Sequence, residues 1–437
     1  MGLLIISFGL GAFTVLYGTL WFPYKIVMIP IFLYTIFRLK FTSVNLINTF
    51  LIIVVISLII AILTSPAVSG MTFLQGPIMR PFVQLYTYAG MALLIPFIVF
   101  IIDTPEKIQT TFKLYFRLSE IVIAIGIIHL IFIILGWDFL PILRSGGTAS
   151  SEAAFGFEGI KINRIYGLSG EPKTLATFVL PYLFISFYNY IENNININKI
   201  YHISFIIASV LVIIYTFSSA ILISGAICVI LIPYLFRNRI KSGLVRIFAI
   251  LVFGGVIISE VNKMFVKQDF EDEKERYGLL DIVYERSFGR VETEVEKRYE
   301  SIALDYIFKE KPAFLLTGFG MGMYNYHLPM PKHGRGVEPI DSGWVVILMD
   351  FGFLGLLFFI ILFRFVLKMK RDNRQYFDDN VMLNSFLIGA IVGFTGHIGN
   401  SALYQIFLFS GLSLAVINVL KNEQTEVNNE INVINKS

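Results

Sequence analysis

The ionisable side chains of this sequence are few, and where they fall narrows the chemistry open to it. Four lie inside long apolar runs: Glu120, His129, Asp350 and His397. An ionisable group in hydrocarbon is costly enough to be a site candidate by default. Asp350 falls about two helical turns inward from Trp344, and His397, with Asn400, closes another apolar run, so both are placed to face one outward-opening cavity. His129 joins them from mid-depth, whereas Glu120 belongs nearer the opposite surface.

Two polar segments carry most of the remaining candidates. The first ends in Arg164-Ile-Tyr-Gly-Leu-Ser-Gly-Glu171-Pro172-Lys173, directly before an apolar run. Proline at a first helical position with polar residues ahead of it marks a helix start. The amino end of that helix, with its unpaired N–H groups, together with Arg164 and Lys173, makes a cradle for a phosphate or diphosphate at lipid headgroup level. A capped helix whose cations anchor ordinary headgroups would carry the same residues.

The second segment closes with Gly318-Phe-Gly320-Met-Gly322-Met-Tyr324-Asn-Tyr326-His327, then Lys332-His333-Gly-Arg335, then Asp341-Ser342-Gly343-Trp344. The alternating glycines allow a tight turn but form no dinucleotide fingerprint, because no strand and crossover helix surround them. His327 and His333 are loop imidazoles capable of acting as bases, or simply solvated. Asp341 and Ser342 sit where a helix begins, where capping is the commonest role. Tyr324 and Tyr326 offer flat surfaces on which sugar rings stack, although aromatic residues also gather at membrane interfaces generally.

The composition says what kind of element positions these residues. Of 437 residues, 56% are apolar and only 15% are charged, with a mean hydropathy of +0.73. Such a chain is no ordinary soluble enzyme. Apolar runs recur from residue 3 to residue 420, and a spanning helix needs about 20 such residues. A polytopic, all-α membrane bundle follows, since a β-barrel would show dyad alternation that Phe50 to Leu63 lacks. The lone Cys228 excludes an internal disulfide, and no Cys/His spacing suits a structural zinc site. The net charge of +4 speaks neither for nor against nucleic acid.

Twelve spans are expected, at 3–22, 25–37, 46–64, 82–102, 114–136, 174–190, 201–217, 219–236, 244–259, 344–365, 381–398 and 402–420. The second contains Pro30, and Ser218-Ser219 barely separates the seventh and eighth, so kinked or re-entrant segments bring the count to ten to twelve. The first is expected to be a retained helix rather than a signal peptide. Lys and Arg between the spans fall on one side, which puts both termini in the cytoplasm. Two external segments, 137–173 and 260–343, are too long for connectors. In the second, Val295, Tyr299, Ile302 and Tyr306 form a helical apolar stripe with Arg298 and Asp305 along its edge. The domains read as 1–259, the external loop 260–343, spans again over 344–420, and a disordered cytoplasmic tail over 421–437.

Taken together, Arg164-x-x-Gly-Leu-Ser-Gly-Glu-Pro before a span, the large late external loop, and Gly-Phe-Gly-Met-Gly leading to Asp-Ser-Gly-Trp and Asp350-x-Gly352-x-x-Gly355 resemble the O-antigen polymerase and ligase superfamily. The resemblance implies an integral glycosyltransferase of the bacterial inner membrane. Such an enzyme takes oligosaccharide units from undecaprenyl diphosphate on the external face, with no cofactor, nucleotide sugar or metal. It implies membrane lipids, a chain-length regulator and a flippase as partners, and no nucleic acid. Arg164 and Arg298 would hold the diphosphate, with Arg290 as the substitute for Arg298. Asp341, His333 and Glu171 are the base candidates; Lys173, Tyr324, Tyr326, His327, Arg335, Asp350 and His397 would line the substrate site. Family ligases carry a His where this chain has Asp341-Ser342, which favours polymerase over ligase. Many relatives have an Arg after the Ser near Ser218 and Ser219, where this chain has Ala220. From another class, a lipid-linked oligosaccharide flippase would show more polar span interiors and smaller loops.

Overall fold

The computed structural model describes residues 1–7, 10, 15–17, 19–21, 23–38, 45–68, 76–137, 139, 154–157, 160–192, 199–236, 299–329, 332–333, 336–337, 340, 342–378, 380–397 and 403–434. Helices dominate them: α1 (Gly2–Ser7), α2 (Pro23–Arg38), α3 (Asn45–Thr64), α4 (Met79–Ile101), α5 (Pro105–Leu135), α6 (Pro172–Ile191), α7 (Lys199–Tyr215) and α8 (Ser219–Leu235) in the first part of the chain. Then come α9 (Tyr299–Asp305), α10 (Tyr324–His327), α11 (Gly343–Asp372), α12 (Arg374–Phe377), α13 (Val381–Gly396) and α14 (Leu403–Ile434). The described residues also form three two-stranded antiparallel hairpins: β1–β2 (Val15–Tyr17, Thr19–Trp21), β3–β4 (Ala154–Phe157, Ile160–Asn163) and β5–β6 (Lys332–His333, Gly336–Val337).

Among the described residues, six helices are long and apolar enough to cross a membrane: Leu46–Val68, Met79–Ile101, Pro105–Leu135, Pro172–Ile191, Gly343–Asp372 and Leu403–Glu426. Lys199–Tyr215, Ala220–Leu235 and Val381–Gly396 are apolar but shorter. Local chemistry sets their ends. Thr104 N-caps α5 by accepting the Lys107 N–H, Pro105 occupies its first turn, and left-handed Gly136 closes it. Asn380 caps α13 through the Leu383 N–H at 2.9 Å.

Packing follows the rules of a bundle that has no solvent to exclude, with small residues at crossings and polar side chains as glue. A Cβ on Gly389 would meet the Phe409 ring at 2.5 Å, which brings α13 against α14. Asn189 donates to the Ser385 hydroxyl at 2.8 Å, and the Gln405 amide donates to the Thr177 carbonyl at 2.7 Å. Ser224 of α8 reaches the Thr395 carbonyl of α13 at 2.9 Å.

Three expectations change. The expected span over 3–22 is α1, six residues long, followed by the β1–β2 hairpin, with Leu16 opposite Leu20. Its glycines at 9, 11 and 18 weaken a helix, and Val15, Tyr17, Thr19 and Trp21 favour strand. The tail expected to be disordered after Leu420 continues α14 to Ile434, because a helix already nucleated adds residues at little cost when neither Gly nor Pro interrupts it. The expected span over 344–365 is not straight, as described next. The expected span over 244–259 lies outside the described residues.

Candidate functional site

The helix α11 breaks at Gly352, whose φ of 65° and ψ of −157° are non-helical. The first arm, 343–351, is about 14 Å long, and the second, from 353, is about 30 Å. In a straight helix Trp344 and Phe359 would stand about 22 Å apart; here their rings lie 5.9 Å apart, and His397 touches both. A break in apolar surroundings orphans the last carbonyls of one arm and the first N–H groups of the next, and each must find a partner.

The glycine-rich loop supplies those partners. Phe353 N–H donates to the Leu315 carbonyl at 2.8 Å and Leu354 N–H to Leu316 at 3.2 Å, while the Met349 carbonyl accepts the Phe319 N–H at 2.7 Å. The Asp350 carbonyl accepts the Ser57 hydroxyl of α3 at 2.8 Å. Such docking demands bare backbone on both sides. A Cβ on Gly318 would stand 2.6 Å from Met349 O and Phe351 N, and one on Gly352 would stand 2.4 Å from Leu316 C. Gly318, Gly320 and Gly322 all have positive φ. The tight turn read from these glycines is therefore half of a two-part joint with α11.

The Asp350 carboxylate locks the joint. It is 1% exposed; one oxygen accepts the Tyr88 hydroxyl of α4 at 2.8 Å and the other accepts the Gly322 N–H at 2.8 Å. Thr64 of α3 adds a hydrogen bond to the Phe319 carbonyl at 3.3 Å. Asp350 thus holds the loop to α4 and α11, and its oxygens face protein groups.

The first polar segment threads between α5, α6 and α7. Ile165 N–H donates to the Tyr215 carbonyl at 3.2 Å, and the Arg164 Nε donates to the Thr216 carbonyl at 2.7 Å, so a guanidinium sits at the carboxyl end of α7 where a cation is favoured. His129 accepts the N–H groups of Tyr166 and Gly167 through Nδ1, both at 3.2 Å, and its ring lies 4.0 Å from Phe139. An Nδ1 that accepts leaves the proton of a neutral ring on Nε2. Pro172 opens α6 as expected. Glu171 precedes it and accepts the Thr174 hydroxyl at 2.9 Å, with no cap bond from its own side chain. Lys173 is half-buried in the first turn.

These two segments share one end of the bundle. Thr216 ends α7 just before α8 begins, Ser224 of α8 bonds Thr395 near the end of α13, and the His397 carbonyl there accepts the Gly343 N–H that starts α11. Arg164, beside the α7–α8 turn, and His397, at the end of α13 beside the start of α11, therefore lie at the same end of the bundle.

Other candidates fall differently. Tyr324 and Tyr326 are buried, 9% and 2% exposed, in a cluster with Phe319, Met323 and Leu348, so they present no open face for a sugar. Burial pushes the Tyr324 phenol up to about 12. His327 is half-buried with its ring stacked 5.2 Å from Phe319, not a solvated loop imidazole. His397 packs among Trp344, Phe359 and Gly343. Glu120 is buried, where it accepts the Tyr201 hydroxyl at 2.9 Å and faces Arg117 at 3.4 Å. In the expected apolar stripe, Ile302 and Tyr306 do pack on the loop cluster, with Ala303 and Ile307 more deeply buried. The Glu300 carboxylate of that helix accepts the Ser342 N–H at 3.3 Å, and Ser342, at the N-cap of α11, makes no cap bond through its hydroxyl. Arg290, Arg298, Arg335 and Asp341 lie outside the described residues, as does the His333 side chain.

Sequence reasoning missed Arg80, Gln84 and Tyr88. Their spacing puts them on one face of α4, and three polar residues in register on an otherwise apolar helix were the available signal. Among the described residues no three His, Cys, Asp or Glu side chains converge on a metal. No protein-family model matches the chain, and neither a curated protein nor a solved structure shows significant similarity to it.

Proposed function

We propose that the protein is a membrane glycosyltransferase that joins undecaprenyl-diphosphate-linked oligosaccharide units, as an O-antigen polymerase does, on the external face of a bacterial plasma membrane. On this reading the chain crosses the bilayer ten to twelve times, both termini are cytoplasmic, and the neighbourhood of Arg164, Lys173 and the glycine loop is external. One observation carries the proposal. Arg164, in the first of the two segments whose sequences resemble the polymerase and ligase superfamily, lies at the end of the bundle where α8 and α11 begin, and the second segment leads into α11.

The chemistry agrees with the residues found there. Departure of a lipid diphosphate develops negative charge, which fixed guanidinium groups and a helix amino end stabilise. Arg164 donates through Nε to the Thr216 carbonyl, and Arg298, or Arg290 in its place, is assigned by resemblance alone. Attack by a sugar hydroxyl needs one base with a pKa near working pH; Glu171, His333 and Asp341 are the candidates. The decisive experiment is the glycan ladder of cells lacking the protein. Single-unit product supports polymerase, unattached polymer supports the ligase alternative, and an unchanged ladder refutes both.

The broken α11 favours a second reading. Discontinuous helices with a buried carboxylate at the break recur in transporters, so a lipid-linked oligosaccharide flippase is the rival. Failure of lipid-linked units to reach the external face in the deletion strain would select it.

A further inference from the structure

His129 lies within α5 and is 3% exposed, yet no step above uses it. Its Nδ1 accepts two successive backbone N–H groups, those of Tyr166 and Gly167, both at 3.2 Å. The ring is fixed between two others: Phe139 stacks on it at 4.0 Å and 7°, and Tyr166 meets it edge-on at 4.1 Å. Successive N–H groups that converge on one point form a concavity of the kind that holds an anion. Here the lone pair of an imidazole nitrogen fills it. The first polar segment also comes closest to α5 at this place. Gly126 lies one turn before His129 on the same helix face, and a Cβ on Gly167 would stand 3.7 Å from Gly126 Cα and 3.6 Å from Leu175 of α6.

What His129 holds is the stretch that joins Arg164 to a helix start. Arg164 Nε and Ile165 N–H bond two consecutive carbonyls at the end of α7, those of Thr216 and Tyr215. The Tyr166 carbonyl then accepts the Ser169 N–H at 3.0 Å, in a turn that leads to Glu171 and Pro172 at the start of α6. Residues 164 and 165 are thus fastened to α7, and residues 166 and 167 to α5. One attachment would let the segment pivot; two on different helices fix the direction from Arg164 to Pro172. A main-chain carbonyl inside α5 is committed to the N–H four residues on, so the second attachment needs a side-chain acceptor.

The geometry points to His129 as a positioning residue, whose Nδ1 sets the placement of Arg164 and of the amino end of α6 toward the diphosphate of a lipid-linked substrate. The identity of that anion rests on the proposed function; the attachment itself follows from the hydrogen bonds. The need is for an acceptor at one point. Asn carries its oxygen on Cγ, as His carries Nδ1, and so reproduces that point. Gln carries its oxygen one bond farther out, and Leu has none.

The test uses purified full-length protein in detergent, with hydrogen exchange resolved to single amides and binding of farnesyl diphosphate as the two measurements. In His129→Gln and His129→Leu the Tyr166 and Gly167 amides should exchange at least about tenfold faster than in wild type, and farnesyl diphosphate should bind at least about tenfold more weakly. His129→Asn should restore both. In an Arg164→Ala background, His129→Gln should weaken binding no further, because the imidazole acts through that guanidinium and the two changes are not additive. If His129→Leu does not fold, the contrast between Asn and Gln carries the test. Unchanged exchange in His129→Gln, equal losses in Asn and Gln, full additivity with Arg164→Ala, or no binding of farnesyl diphosphate by the wild type overturns the assignment. The glycan ladder separates this from the proposed function. A normal ladder in cells lacking the protein, with binding that depends on position 129, removes the polymerase and keeps His129; a collapsed ladder with binding indifferent to position 129 does the reverse.

Discussion

Replacing Gly318 by alanine tests the joint where it is least forgiving. The new methyl would stand 2.6 Å from Met349 O and from Phe351 N, and backbone on a helix cannot swing aside as a side chain can. The residue also sits at φ 70°, where a non-glycine residue costs about 1–2 kcal/mol. Relieving the clash requires the loop to lift, which breaks the bonds from Phe319 N–H to Met349 and from Gly322 N–H to Asp350. A buried group left unsatisfied costs about 1–3 kcal/mol, so the total is on the order of 3–8 kcal/mol, comparable with the whole stability of many folds. Gly322→Ala meets only the flexible stems of Arg80 and Gln84 and should cost about 1–2 kcal/mol. Gly76→Ala meets nothing within 4 Å and should range from neutral to stabilising by up to about 1 kcal/mol. The apparent melting temperature in detergent should be lowest for Gly318→Ala, intermediate for Gly322→Ala and highest for Gly76→Ala, with protease sensitivity of residues 315–328 as a local readout. Equal stability of Gly318→Ala and Gly76→Ala would mean that the loop does not dock in the break.

Asp350→Asn and Tyr88→Phe should each destabilise by about 1–3 kcal/mol, and a double-mutant cycle should show coupling above about 0.5 kcal/mol; simple additivity would deny their hydrogen bond. Arg164→Ala should abolish polymer while leaving protein abundance intact, and Arg164→Lys should restore it only in part because an ammonium cannot reproduce two-pronged bonding; a full ladder from Arg164→Ala removes the residue from the mechanism. In a Cys228→Ser background, an impermeant thiol reagent on intact cells should label Lys311→Cys and spare Asp103→Cys, both exposed positions; the opposite pattern inverts the topology. The Tyr324 phenol is raised from 10.0 to about 12, so the neutral form is favoured in the fold. Its contribution to stability is whole below pH 10 and is lost as pH climbs toward 12, which pH-dependent unfolding of wild type against Tyr324→Phe should reveal.

Hydropathy alone placed α3, α4, α6, α7, α8 and α13 to within a few residues, because a run such as Asn45–Thr64 has one solution in a bilayer. The break in α11 was hidden. Phe351-Gly352-Phe353 sits within an apolar run that scores as a single span, and the signal of the break is the loop some thirty residues earlier whose backbone satisfies it. Single-sequence periodicity is local, and the joint is not. The same limit explains Tyr324 and Tyr326, whose position in a polar loop suggested exposure until a hydrophobic cluster was seen to form beneath that loop. The Arg164 segment was legible as a helix start, since Pro172 is a local mark, but its docking on Tyr215 and Thr216 depends on a helix that follows it in the chain.

The Asp350 joint also sets an order for biogenesis. Ser57 and Tyr88 are made 293 and 262 residues ahead of their partner, and the glycine loop emerges before the helix it completes. Until the ribosome passes the second arm of α11, the loop's docking groups and the hydroxyls on α3 and α4 have no partner in this joint. A chain truncated before residue 350 keeps its apolar helices and still inserts, but it leaves those groups unanswered and its early helices loosely held. Quality-control proteases that sample unsettled membrane helices would thus meet every incomplete chain in a recognisable state, and release from surveillance would coincide with the arrival of one carboxylate.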